Sequence, residues 1–157
     1  LTTKYIHKGN VVAMWNMLFK KAYDDGNDYF FQSGDDIVFL HNEWLNICLK
    51  QLIANNNIGV SAPNDINNMR ILTQSVVSRK HMDIYGYYFN PKITNWGCDD
   101  WINGIYNQQF LRRNNTSLMN KGGKPRYKVV NNRELWDELI LEDKKKLVKY
   151  LNMKCIA

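Results

Sequence analysis

Cysteine is scarce in this chain. There are three, Cys48, Cys98 and Cys155, an odd number with no Cys-x-x-Cys spacing, so neither a disulfide framework nor a structural zinc site is indicated and a reducing compartment fits best. No run of about eighteen apolar residues occurs, which argues against a membrane span. No charged-then-apolar segment opens the sequence, so it carries no secretory signal of its own and the expected location is cytoplasmic. The first residue is Leu1 rather than Met, so a targeting segment can lie upstream. Histidine is also sparse, and His7, His41 and His81 each stand alone, as structural or surface histidines do. There is no internal repeat and no low-complexity tract. The formal charge of +6 is accompanied by no nucleic-acid-binding motif, so it is read as a solvated surface that attracts anions rather than one dedicated to nucleic acid.

What is present suffices for a packed globule: 157 residues, 45% hydrophobic and 13% aromatic. Apolar residues recur at helical spacing from Asn10 to Asp25 before a Gly26-Asn27 stop. Tyr29 to Phe31 and Ile37 to Leu40 read as strands. Asn42 to Asn55 reads as a helix burying Trp44, Leu45, Cys48, Leu49, Leu52 and Ile53. Ile58 to Ala62 predicts a buried strand closed by a Pro63-Asn64-Asp65 loop, and Ile71 to Ser78 another strand. Arg79 to Tyr85 predicts a short helix ended by Gly86, and Asp99 to Phe110 a further helix. Arg112 to Arg126 is polar and without period, hence a loop, with a short strand over Tyr127 to Val130. Leu135 to Leu151 predicts a solvated amphipathic helix. Alternating strands and helices imply an α/β sandwich with a mainly parallel sheet over residues 1–130, and a charged amphipathic helical tail over 131–157.

Two acid pairs interrupt this pattern. Asp35-Asp36 lies where an apolar strand ends, and like charges there are unfavourable unless a cation or hydrogen-bond donors offset them. A hard divalent cation holding a substrate diphosphate does this with one or two carboxylates and phosphate oxygens. In Asp99-Asp100, one carboxylate raises the pKa of its neighbour, as a general base requires; capping the following helix is the structural alternative. Of the tryptophans flanking this pair, Trp101 serves equally as a flat face for a ligand or as packing surface, and Trp96, in the loop-like stretch from Pro91 to Gly97, reads rather as a ligand platform. Arg79, Lys80, Arg126 and Lys128 are candidate phosphate clamps, with solvated surface charge the expected role for most of them.

The run Lys8-Gly9-Asn10, Ala13, Asn16, Ala22, Gly26, Asp28-Tyr29-Phe30 and Gly34-Asp35-Asp36-Ile37 resembles the middle of a GT-A glycosyltransferase of the family-two type. Ser78-Arg79-Lys80 and Gly86-Tyr87-Tyr88-Phe89 resemble its acceptor side, and Cys98-Asp99-Asp100-Trp101 its Glu-Asp-Trp motif. The resemblance covers Lys8 to Tyr106, with the amino-terminal units of such a domain missing from the sequence. It implies a GT-A-like fold and transfer of a sugar from a nucleotide-sugar donor to a hydroxyl of a carbohydrate or protein acceptor, with inversion and with Mn²⁺ or Mg²⁺ as cofactor. It further implies Asp36, helped by Asp35, as metal ligand and Asp100 as catalytic base with Asp99 in support. Gly34, Trp96, Trp101 and Arg79 are the implied donor- or acceptor-binding residues. The family's DxD has its first acid where this chain has Gly34. A binding or assembly module that kept the fold and a basic anion-binding surface is therefore the alternative; a two-metal nuclease is disfavoured because no further acid completes such a site.

Overall fold

The computed structural model describes residues 6–123 and 125–155. Its elements run α1 (Val11–Asp24), β1 (Tyr29–Gln32), β2 (Ile37–Phe39), α2 (Trp44–Ala54), β3 (Val60–Asp65), β4 (Ser75–Ser78), α3 (Arg79–Tyr85), α4 (Cys98–Phe110), β5 (Leu111–Asn120) and α5 (Arg133–Cys155). The strands form a single sheet in the order β1-β4-β3-β5-β2. Alternation of side chains across this sheet separates two cores. Val77 of β4 joins the large cluster with Val12, Phe19, Trp101 and Leu139, which α1, α3, α4 and α5 cover. Its neighbour Val76 faces the other way, onto Cys48 and Leu52 of α2.

Several elements follow directly from local chemistry. Asn10 caps α1 by accepting from the Ala13 amide at 3.0 Å. Ser78 caps α3, and Gly86 ends that helix in the left-handed conformation, with φ of 79°. Phe19 of α1 stacks on Tyr88 with ring centroids 3.7 Å apart and meets Phe30 of β1 edge-on at 6.0 Å, which seats the helix on the sheet.

The mainly parallel sheet expected from the sequence is not found. Among the described residues only β3 and β5 pair in parallel; β1 with β4, β4 with β3, and β5 with β2 are antiparallel. Alternation of helix and strand implies parallel pairing only when a helix links neighbouring strands. Here α2 links β2 to β3, and β5 lies between them.

Four local expectations are corrected as well. The polar stretch after Leu111 is a ten-residue strand rather than a loop. Its inward face carries Asn114 and Thr116 beside Leu118, so hydrophobic periodicity does not reveal it. The Asn114 side-chain amide reaches the Cys48 sulfur at 3.2 Å, and its oxygen accepts from the Thr116 amide at 2.9 Å. Pro63 and Asn64 continue β3 instead of closing it, and the register with β5 shifts between Ala62 and Asn64, a bulge that accommodates the missing proline N–H. Residues 127–130 form no strand. On α2, Leu45 and Ile53 are exposed, and the buried stripe is Cys48 and Leu52.

Helix α5 is anchored by Asp143, whose side chain is fully buried. Its carboxylate accepts from the Tyr87 hydroxyl at 2.8 Å, Asn90 Nδ2 at 2.7 Å and Trp101 Nε1 at 3.1 Å, and it pairs with Lys146 at 2.8 Å. Burial alone would raise this acid; the hydrogen bonds from Lys146, Asn90 and Tyr87 outweigh it and hold the pKa below the ordinary carboxylate value.

Candidate active site

A cleft of about 1050 Å³ opens beside the turn between β1 and β2 and the amino terminus of α4. Gly34, Asp35 and Asp36 form one stretch of its wall, and Trp96, Asp99 and Asp100 another. Residues sixty or more positions apart in sequence thus share one concavity.

The first wall is held by backbone contacts at both ends. The Gly34 amide donates to Gln74 Oε1 at 3.1 Å, and the Asp36 carbonyl accepts from the Lys121 amide at 2.9 Å. A Cβ at residue 34 would stand 2.5 Å from Asp36 Oδ1, so the glycine leaves room for that carboxylate to fold back over it. An acid at residue 34, as in a DxD motif, would displace Asp36. The Asp35 carboxylate is gripped by Arg126 at 2.8 and 3.0 Å, which holds its pKa below the usual range. Asp36 forms no ion pair among the described residues and is the free carboxylate of this wall.

The second wall is the first turn of α4. Gly97, with φ of 89°, occupies the N-cap position, so neither acid is the cap residue. The Asp100 carboxylate is held by Arg70 at 2.6 Å. Asp99 is half-buried, and enclosure by the surrounding protein pushes its pKa up to about 7, with the Asp100 charge adding to the shift and the Cys98 thiol and Arg70 opposing it. Arg70 is in turn fixed through its backbone. Arg113 donates to the Met69 and Arg70 carbonyls at 2.9 and 2.8 Å, and Asn103 bonds both the amide and the carbonyl of Leu72.

Trp96 is 45% exposed and presents its indole to the cleft. Trp101 does not. It is fully buried, and its indole N–H is spent on Asp143, so it is a packing residue rather than a sugar platform. Arg79 is also remote from the cleft lining; it donates to the Tyr23 and Asn27 carbonyls and lies 3.9 Å over the Tyr23 ring. Lys80 likewise donates to the Asn56 carbonyl. His81 is buried between the Tyr106 hydroxyl and the Tyr88 carbonyl, each at 2.8 Å, and burial lowers its pKa to about 4. His41 is exposed.

Arg70, Gln74, Asn95 and Tyr127 are cleft residues that sequence reading does not find. Gln74 alone leaves a trace, as a polar residue inside an otherwise β-branched run. Arg70 sits in a featureless Asn-Asn-Met-Arg stretch, and only the fold brings it to Asp100.

Among the described residues, no three His, Cys, Asp or Glu side chains converge as a metal site. The donor set still suits a hard cation shared with a ligand: Asp36 supplies an unpaired carboxylate, and phosphate oxygens and water would complete the shell. No helix among the described residues is long and apolar enough to cross a membrane. Comparison with protein-family models, curated proteins and solved structures finds no match to this chain.

Proposed function

We propose that the chain is the GT-A-like portion of a metal-dependent glycosyltransferase, which moves a sugar from a nucleotide-sugar donor to a hydroxyl acceptor. The observation that carries this reading is that both acid pairs line one cleft. Asp36 would hold Mg²⁺ or Mn²⁺, with Asp35 available only when it leaves Arg126. When bound, the cation offsets negative charge growing on the departing diphosphate. Arg126, already at that wall, is placed to share this task.

At the start of α4 the roles implied by the resemblance are exchanged. Asp100 is held by Arg70, whereas Asp99 is pushed by burial up to about 7 and has no cationic partner in direct contact among the described residues. Asp99 is therefore the general base that takes the acceptor proton, and Asp100 with Arg70 positions it. Direct attack by that hydroxyl on the face opposite the diphosphate gives inversion. Trp96 offers the sugar an apolar face.

The test is sugar transfer, or hydrolysis of nucleotide-sugar donors, in Mn²⁺. Asp36→Asn is expected to lower the rate by at least about a hundredfold, a typical cost of removing a group that stabilises transition-state charge. Unchanged turnover in Asp36→Asn sinks the assignment. The absence of an acid at Gly34 and the tie between Asp35 and Arg126 favour a second reading, a non-catalytic anion-binding module. That reading gains if no donor is turned over by the unsubstituted protein.

A further inference from the structure

A second, smaller groove of about 450 Å³ adjoins the cleft and is lined by Lys8, Pro125, Arg126, Tyr127 and Lys128. Three of these, Pro125, Arg126 and Tyr127, also line the cleft, so the two spaces meet at these residues. No carboxylate lines the groove, and neither Lys8 nor Lys128 forms an ion pair among the described residues. Uncompensated lysines in a concavity make it a receptor for anions.

The groove is built by one buried side chain. Asn95, 3% exposed, donates from Nδ2 to the Gly9 carbonyl at 2.9 Å and to the Lys128 carbonyl at 3.1 Å. Its Oδ1 accepts from the Val130 amide at 2.9 Å and the Trp96 amide at 2.7 Å. Both donors and both acceptor positions are thus used, and three chain segments are clasped together. Gly9 completes the closure: at φ of 90°, with a would-be Cβ 3.1 Å from Tyr127 Cβ, it lets the segment carrying Lys8 approach the one carrying Lys128.

Tyr127 relates the groove to the chemistry. Its side chain lines both spaces, and burial, with the neighbouring Cys98 and Asp99 groups, pushes its phenol pKa up. An anion between the lysines therefore lies beside the cleft that Asp99 lines, with Tyr127 common to both spaces. Arg126 marks the boundary with the other wall, where Asp35 holds its guanidinium.

We propose that this groove seats a phosphate group of the acceptor, so that the preferred acceptor is a phosphorylated sugar or polyol whose free hydroxyl reaches Asp99 across the Tyr127 ring. Lysine ammonium groups suit a phosphate, which they bind as point charges without a metal. That the bound molecule is an acceptor rests on the sugar-transfer reading; that the groove binds phosphate does not.

The experiment is a binding titration of the full chain, followed by backbone NMR shifts in EDTA, with a hexose 6-phosphate and with the same hexose unphosphorylated. The phosphorylated sugar is expected to perturb Lys8, Tyr127 and Lys128, and the neutral one to leave them unmoved. Lys8→Gln/Lys128→Gln should bind at least about tenfold more weakly, as loss of charge-assisted hydrogen bonds predicts, with its melting temperature unchanged. In unsubstituted protein a nucleoside diphosphate with Mg²⁺ should bind alongside the hexose phosphate. Equal binding of the neutral hexose, or unchanged affinity in the double variant, overturns the phosphate site. Strict competition with the nucleoside diphosphate overturns the acceptor assignment and gives the groove to the donor. Donor hydrolysis on the same sample tests the sugar-transfer reading separately: its absence with phosphate binding intact sinks that reading and leaves the groove.

Discussion

Asp99 and Asp100 are adjacent in sequence, yet their surroundings divide them. Asp100 has Arg70 against it at 2.6 Å, and Asp99 is enclosed and pushed up to about 7. A base works only when deprotonated, so sugar transfer should rise with pH along a limb centred near 7. Asp99→Asn is expected to abolish that limb and to lower kcat by about a hundredfold or more, the usual contribution of a general base. Asp100→Asn should keep the limb and move its midpoint to lower pH, because the Asp100 charge is one of the groups raising Asp99 and its loss frees Arg70 to act on Asp99 alone. The pH–rate profiles of the two variants decide the matter; a limb lost only in Asp100→Asn returns the base to Asp100. A sequence motif of adjacent acids cannot make this distinction, because the deciding group, Arg70, comes from another loop.

Helix α5 contributes Leu139 and Leu147 to the core, yet its specific attachment is the buried Asp143 carboxylate with its Tyr87, Asn90, Trp101 and Lys146 partners. Asp143→Ala leaves four buried or half-buried donors without their acceptor and should cost about 3 kcal/mol in urea unfolding. Asp143→Asn, which keeps an acceptor oxygen, should cost less; equal losses in the two would show that packing rather than this network holds the helix. How far such elements can be read in advance depends on where their information lies. Helices α1, α3 and α4 follow from periodicity with Asn10, Ser78, Gly86 and Gly97 at or beside their ends, and β1 and β4 from runs of apolar side chains. Strand β5 is illegible because its inward Asn114 and Thr116 satisfy one another and Cys48 instead of presenting apolar surface. The candidate cleft is half legible: the acid pairs announce themselves by clustering, whereas Arg70 and Asn95 matter only through partners distant in sequence. Asp143, inside the charge-dense tail, gives no sign of being buried.

At the scale of the whole molecule, acid sensitivity is a sum of opposed contributions. His81 is held neutral with a pKa lowered to about 4, so the unfolded chain takes up a proton first. Its contribution is intact above about pH 6.5 and is lost as pH falls toward 4, a loss of about 3 kcal/mol. Asp99 acts in the opposite sense, since the folded state protonates it more readily and gains stability as pH falls from about 7. Asp143, with a lowered pKa, adds stability that is lost only below the ordinary carboxylate range. Unfolding free energy should therefore vary little between pH 7 and 4 and then drop. Asp99→Asn should uncover the His81 loss, visible as a declining urea midpoint from pH 6.5 to 4; a flat profile in that variant would refute the balance. The strand order carries a further consequence, for folding kinetics. Among the described residues β2 pairs only with β5, and β5 also joins β3, so the strand following the Asp35-Asp36 turn has no neighbour there until residues 111–120 dock. Such late, long-range closure is slow, and a collapsed intermediate lacking β5 would hold a formed core of α1, β1 and β4 but could not yet grip a ligand.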